Sequence, residues 1–237
     1  MCMTAKKTIV HDDEVAIIIP AYREGKVIKR TIEGIINLFP NVICVDDGSP
    51  DDTAAQIEST KATLVRHPIN LGQGASLQTG IEYALLNPKT KYFVTYDADG
   101  QHRVEDVVAM LKHIKKQKID IVLGSRFLGS AENISAKKRH LLKLAVRFSN
   151  ASTGLKLTDT HNGLRVFNRH AAEVMQLKMP DFSHASEIIE RIAEKKLTYE
   201  EVPVTILYTD YSRAKGQSMI NAINISFDVL LNKMVKK

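Results

Sequence analysis

Short apolar runs alternate with segments of helical period through the first half of this chain, and that order admits few folds. Val15 to Ile19, Val42 to Val45, Thr63 to Arg66, Tyr92 to Tyr96 and Ile119 to Leu123 read as buried strands. Between them, Glu24 to Phe39 places Val27, Ile28, Ile32, Ile35, Ile36 and Phe39 at helical spacing. Gly74 to Leu86 and Val104 to Lys116 read as further helices. Ser49 and Pro50 predict another helix start, with Ser49 as N-cap and Pro50 in the first helical position. Alternation of this kind predicts an α/β fold with a mainly parallel sheet and helices on both faces.

The second half is less regular. Phe127 to Ala136 predicts a loop, Lys137 to Ser149 a basic amphipathic helix, and Leu164 to Phe167 a short strand. Ala185 to Lys195 reads as helical, and Thr198 to Leu207 as extended around Pro203. From Gln217 onward, Ile220, Ile223, Phe227, Leu230, Leu231 and Met234 form an apolar stripe on a last helix. A chain of 237 residues with 44% apolar content is large enough for one well-cored domain. The two cysteines, Cys2 and Cys44, make no disulfide framework, which fits a reducing cytoplasm. No secretory signal is legible, because His11 to Glu14 interrupts the N-terminus, and no apolar stretch approaches the roughly 20 residues of a membrane span. The expectation is a cytoplasmic protein, soluble or attached to the inner face of the cell membrane from outside the bilayer.

Net charge is +6, and Lys137, Lys138, Arg139, His140, Lys143 and Arg147 crowd into one segment. Phosphates, anionic lipid or nucleic acid are the partners such a patch suits, and a plain solvated helix face is the alternative. The aromatic-studded basic groove of single-strand binders is not legible, so nucleic acid is not an expected partner.

In open parallel sheets, ligands bind beyond the carboxyl ends of the strands. Four strand ends here carry polar, acidic, small or basic residues: Pro20-Ala21-Tyr22-Arg23-Glu24, Asp46-Asp47-Gly48-Ser49, Asp97-Ala98-Asp99 and Gly124-Ser125-Arg126. Alternation along an extended chain lets Asp97, Asp99 and Gln101 point the same way. Two close carboxylates repel unless a cation lies between them. Hard oxygen ligands favour Mg²⁺ or Mn²⁺ over zinc and leave coordination positions for a diphosphate. A polyanion site with a divalent metal is the expectation. A dehydrogenase would place Gly-x-Gly-x-x-Gly after the first strand, where this chain has Pro20-Ala21-Tyr22-Arg23-Glu24.

Taken together, these motifs, with Asn70-x-Gly72-x-Gly74 and the run Asp97-Ala98-Asp99-Gly100-Gln101-His102, resemble family 2 glycosyltransferases of the GT-A fold. The polyprenyl- and dolichyl-phosphate sugar synthases are the subgroup they resemble most. The resemblance implies a GT-A, Rossmann-like domain over residues 1–218 and an inverting transfer from a UDP- or GDP-sugar. The acceptor it implies is a polyprenyl or dolichyl phosphate or a lipid-linked glycan. It also implies roles for particular residues. Pro20, Tyr22 and Glu24 would hold the nucleoside, with Val45 leading into Asp46 or Asp47, one of which would bond the base. Turn and cap chemistry is the other use for the two aspartates. Ala98 would offer backbone contact near the ribose, and Gly72 and Gly74 close approach to the donor, unless they merely precede a helix. Asp97, Asp99 and Gln101 would bind Mg²⁺ or Mn²⁺. Arg126 would face phosphates, and Asp159 would orient or deprotonate the acceptor, or else pair structurally with Arg165.

Arg213, Gly216 and Ser218 match the subgroup's phosphate clamp, but Met219 stands in place of its final lysine, so Lys215 would have to supply that charge. This departure leaves a sugar hydroxyl open as acceptor. A hydroxyl needs a base, for which Asp159 and Glu187 are the candidates, Glu187 being otherwise a surface helix residue. Residues 219–237 form the amphipathic helix, expected to pack on the domain, on a second subunit in a homo-oligomer, or on a membrane. A non-catalytic nucleotide-sugar or carbohydrate-binding module on the same fold is the alternative function.

Overall fold

The computed structural model describes residues 12–132, 134, 136–179, 183–208 and 211. The segment containing Arg213, Lys215, Gly216 and Ser218, and the last helix, lie outside the described residues.

Among the described residues, seven strands form one sheet: β1 (Val15–Ala21), β2 (Asn41–Asp46), β3 (Thr63–Arg66), β4 (Tyr92–Thr95), β5 (Ile121–Glu132), β6 (Arg165–Asn168) and β7 (Tyr199–Leu207). Their spatial order is β3-β2-β1-β4-β6-β5-β7. The helices are α1 (Ile28–Ile35), α2 (Thr53–Glu58), α3 (Gln73–Leu85), α4 (Val104–Gln117), α5 (Ala136–Thr153), α6 (Arg169–Val174) and α7 (His184–Glu194). β1 is buried along its whole length, which explains its unbroken apolar sequence. Its alternate residues serve two cores. Ile17 and Ile19 join Ile28, Ile32, Met110 and Ile114 on one face, while Ile18 joins Leu77, Ile81, Ile188 and Ile192 on the other. Both faces of the sheet are therefore covered by helices, as expected.

β1 pairs in parallel with β2 and β4, β2 with β3, and β5 with β7. β6 alone runs against its neighbours. Its first residue, Arg165, lies opposite Thr95 of β4 and Leu123 of β5. The carboxyl ends of β4 and β5 and the start of β6 thus meet at one edge, beside those of β1 and β2.

Three local expectations give way. The helix expected from Glu24 begins at Ile28, because Arg23 takes a left-handed φ of 56° and residues 22–27 form a turn. Ser49 does not cap a helix. Its Oγ accepts the Arg23 N–H at 3.0 Å, and α2 starts at Thr53 behind Asp52. The loop expected over Phe127 to Ala136 is largely strand: β5 runs to Glu132, interrupted between Ser125 and Ser130 by a bulge against Pro203 to Thr205 of β7. Bulges of this kind re-aim side chains beside active sites, and this one contains Arg126.

Candidate active site

The first part of the site is the turn after β1, braced by the turn after β2. The Glu24 N–H donates to Thr53 Oγ1 at 2.8 Å, and the Glu24 carboxylate accepts from the Tyr211 hydroxyl at 2.7 Å. Tyr22 is half-buried with the Arg23 guanidinium 5.3 Å from its ring centre. Pro20 and Val45 are paired neighbours at adjacent strand ends, and both side chains are buried. The two aspartates after Val45 behave differently. Asp46 accepts the Ser49 N–H at 3.1 Å and pairs with Arg66 at 3.0 Å. Asp47 is given over to the loop after β3: it accepts from Leu71 N at 2.9 Å and Gly72 N at 2.8 Å, and lies 2.7 Å from His67 Nδ1. Gly72 has a φ of 93° at the N-cap of α3. A side chain at Gly74 would collide with the Met179 carbonyl and His184, so the close approach of those two residues demands that glycine. Ala98 is buried, and its carbonyl accepts the Thr31 hydroxyl at 2.8 Å.

The second part is the turn after β4. Asp97 and Asp99 project into the same region. Burial, followed by the charge of Asp97, pushes the Asp99 pKa up to about 6. Burial also opposes ionisation of Asp97, but His102, with Arg165 and His184, overrides it and holds Asp97 below the usual carboxylate range. His102 is buried edge-on to Tyr96 and sets its Nε2 2.8 Å from Asp97 Oδ2. Asp99 accepts the Gln101 N–H at 3.1 Å and also bonds the Gln101 side-chain amide. The donors here are hard oxygens. Among the described residues no group of three or more His, Cys, Asp or Glu is placed to hold an ion. Two carboxylates and an amide oxygen fit the incomplete protein shell that Mg²⁺ or Mn²⁺ completes with water and substrate phosphates.

The third part comes from the bulge of β5 and the turn before β6. The Arg126 backbone N–H and Nε both donate to Asp159 Oδ2, at 3.1 and 2.6 Å, and Nη1 donates to the Tyr208 hydroxyl at 2.8 Å. Asp159 thus bonds Arg126, where the sequence suggested Arg165. Burial opposes the charge on Arg126, and Asp159 and Tyr208 outweigh it. Arg165 is buried and feels the charges of both Asp97 and Asp159. Burial, with Arg126 adding to it, pulls its pKa to about 10 against those two carboxylates, so it stays cationic at neutral pH. His161, pushed down to about 4 by burial and by Arg126, Arg165 and His184, is neutral there. Glu187 is buried, not a surface residue: its carboxylate accepts the Lys178 and Met179 N–H groups at 2.8 to 2.9 Å. Glu201 does the same for Thr158 and Asp159.

Asp97, Asp99, Gln101, Arg126 and Asp159 are therefore gathered at one sheet edge, while Val45 and Gly74 meet their surroundings mainly through core packing. His102, Tyr208 and Arg165 complete the network, although sequence reasoning gave the first two no role and Arg165 only a structural one. Tyr208 stands one residue beyond β7, so the rule about strand ends would have found it.

A sequence model of glycosyl transferase family 2 matches residues 16–175. The chain is a family 2 glycosyltransferase. The enzyme is 31% identical over 248 residues to the UDP-N-acetylglucosamine–dolichyl-phosphate N-acetylglucosaminyltransferase of Methanococcus voltae, covering 95% of this chain and 98% of that one. It is 26% identical to the polyprenol monophosphomannose synthase of Mycolicibacterium smegmatis, covering 88% and 82%. The glucosyl-3-phosphoglycerate synthase of Mycobacterium tuberculosis, solved with Mn²⁺ and UDP-glucose, superposes with a TM-score of 0.63 at 16% identity, covering 84% of this transferase and 72% of that chain. That likeness establishes a shared fold. No helix among the described residues of the transferase is long and apolar enough to cross a membrane.

Proposed function

We propose that this transferase moves a sugar from a nucleoside diphosphate sugar to a polyprenyl or dolichyl phosphate, with inversion at the anomeric carbon. The observation that carries this reading is the occupation of its carboxylates. A hydroxyl acceptor needs a general base, whereas a phosphate acceptor is already ionised. Asp159 is bonded twice by Arg126, and Glu187 and Glu201 are each taken up by backbone N–H groups. Both candidate bases, Asp159 and Glu187, are thus engaged in internal contacts, and Asp159 carries the Arg126 guanidinium against it. The names of the Methanococcus and Mycolicibacterium relatives support the same acceptor class.

Tyr22, Glu24 and Asp46 would hold the nucleoside, with Pro20, Val45, Gly72, Gly74 and Ala98 shaping the cradle around it. Asp97 and Asp99, joined by the Gln101 amide oxygen, would hold Mg²⁺ or Mn²⁺, which would supply positive charge to a diphosphate. His102 fixes the direction of Asp97. Arg126, held by Asp159 and Tyr208, and Arg165 stabilise phosphate charge as an acceptor oxygen bonds to the anomeric carbon and the nucleoside diphosphate departs. Arg213 and Lys215 would add charge from the segment beyond Tyr211.

The test is transfer to dolichyl phosphate from UDP-N-acetylglucosamine and from GDP-mannose, each with Mn²⁺, Mg²⁺ or chelator, with products read by mass spectrometry. Metal-dependent formation of a dolichyl-phosphate-linked sugar from one donor is expected. Transfer to glycan hydroxyls alone would sink the proposal.

Gly163 gives a finer check. A methyl group there would overlap the Asp97 carboxylate. Gly163→Ala is expected to displace Asp97 from His102 and weaken metal-dependent donor binding at least about tenfold, the usual scale for losing a supporting contact to a metal ligand. Calorimetric titration would measure this, and an unchanged affinity would remove Asp97 from the metal shell.

A further inference from the structure

We propose that the outer face of α5, together with the β5 bulge, docks the transferase onto an anionic lipid bilayer. This rests on the reading that the acceptor is a lipid phosphate, and it names the surface from which that acceptor arrives.

Helix α5 has two distinct sides. Leu142, Ala145, Val146 and Ser149 are buried, and the helix packs against α7. Arg139, His140, Lys143, Leu144 and Arg147 are exposed and fall within one sector of the opposite side. Residues 136–153 contain no Asp or Glu, so nothing within the helix neutralises its cations. The bulge adds apolar surface to this face. Lys143 Nζ lies 5.8 Å from the centre of the Phe127 ring. Leu128, next in the chain, is 49% exposed, and Leu144 on the helix is 42% exposed.

Cations flanked by exposed leucines suit an anionic bilayer surface, where the charges meet headgroups and the leucines enter the acyl boundary. A nucleic acid would use the cations and leave the leucines in water. The position of the patch relative to the site is equally specific. Phe127 and Leu128 directly follow Arg126, so a prenyl phosphate whose headgroup reaches Arg126 has its tail beside the surface that meets the membrane.

The experiment is vesicle co-sedimentation of the full chain and of Arg139→Glu/Lys143→Glu/Arg147→Glu. Phosphatidylcholine vesicles with and without phosphatidylglycerol are used at low and high salt, alongside transfer assays. Wild type is expected to bind the anionic vesicles, weakly at high salt, and the variant about tenfold less or worse. The variant is expected to keep wild-type transfer to a short-chain, water-soluble prenyl phosphate and to lose transfer to a long-chain acceptor in vesicles. Equal binding of neutral and anionic vesicles, or wild-type binding by the variant, overturns the proposal. So does a concentration-dependent dimer, seen by sedimentation, that the variant abolishes, because the face would then belong to a second copy. If vesicle binding behaves as expected but no prenyl phosphate of any length is glycosylated, the docking surface stands and the acceptor assignment falls.

Discussion

Asp99→Asn is expected to lower kcat by about a hundredfold or more, the scale on which loss of one transition-state charge stabiliser is felt, while leaving the metal-free protein no less stable. Asparagine keeps the shape of the side chain and can still accept the Gln101 N–H. It removes the charge that burial and Asp97 both oppose. A group held against its own electrostatic preference contributes to function at the expense of the fold, so activity and stability should move in opposite directions. Steady-state transfer with saturating Mn²⁺, set beside thermal denaturation in chelator, checks both halves. A variant that loses activity and melts much earlier would show that Asp99 supports the turn and not the chemistry.

Arg126→Ala is expected to have the largest effect on stability, a loss of about 3–5 kcal/mol, because Asp159 would remain buried without its cation. For a chain of this length that corresponds to a fall in Tm of roughly 10 °C. Arg126→Met combined with Asp159→Leu should regain most of that loss, since an apolar pair of similar volume often replaces a buried ion pair at little cost. If Arg126 meets phosphate, the rescued double variant stays inactive. A stable and active double variant would reduce the pair to architecture and return the acceptor question to the start.

The parts of this molecule legible in its sequence are those decided by neighbours along the chain. Val15 to Ile19 is uniformly apolar because both faces of β1 are covered. Asp97, Asp99 and Gln101 are close neighbours in sequence, but the turn after β4, with Gly100 at a φ of 74°, and not the alternation expected of an extended chain, folds Gln101 back onto Asp99. What was not legible depends on register between distant segments. Nothing in Leu164 to Phe167 tells its direction, which follows from its place between β4 and β5. The strand beyond Arg126 was hidden by Gly129, Ser130 and Ala131, residues of low strand preference that extend because β7 lies alongside. Asp159 has Arg165 nearby in sequence, yet it bonds an arginine 33 residues away, since the bulge brings Arg126 back over it. Glu187 reads as a surface position on a helix, and only the passage of residues 178 and 179 beneath it makes it a buried acceptor.

The antiparallel β6 also bears on how the protein is made. As the chain leaves the ribosome, β3, β2, β1 and β4 can assemble in order, bringing with them the turns that carry Glu24, Asp46 and Asp97. β4 then presents an open edge, and β5 cannot close it, because the position beside β4 is reserved for residues not yet synthesised. Only when Arg165 to Asn168 emerges does the nascent sheet join its two parts. Until then an apolar strand edge is exposed to other chains, the condition that invites misassembly. The same four residues bring Arg165 up to Asp97, so the step that protects the newborn protein from aggregation also completes the charge balance of its site.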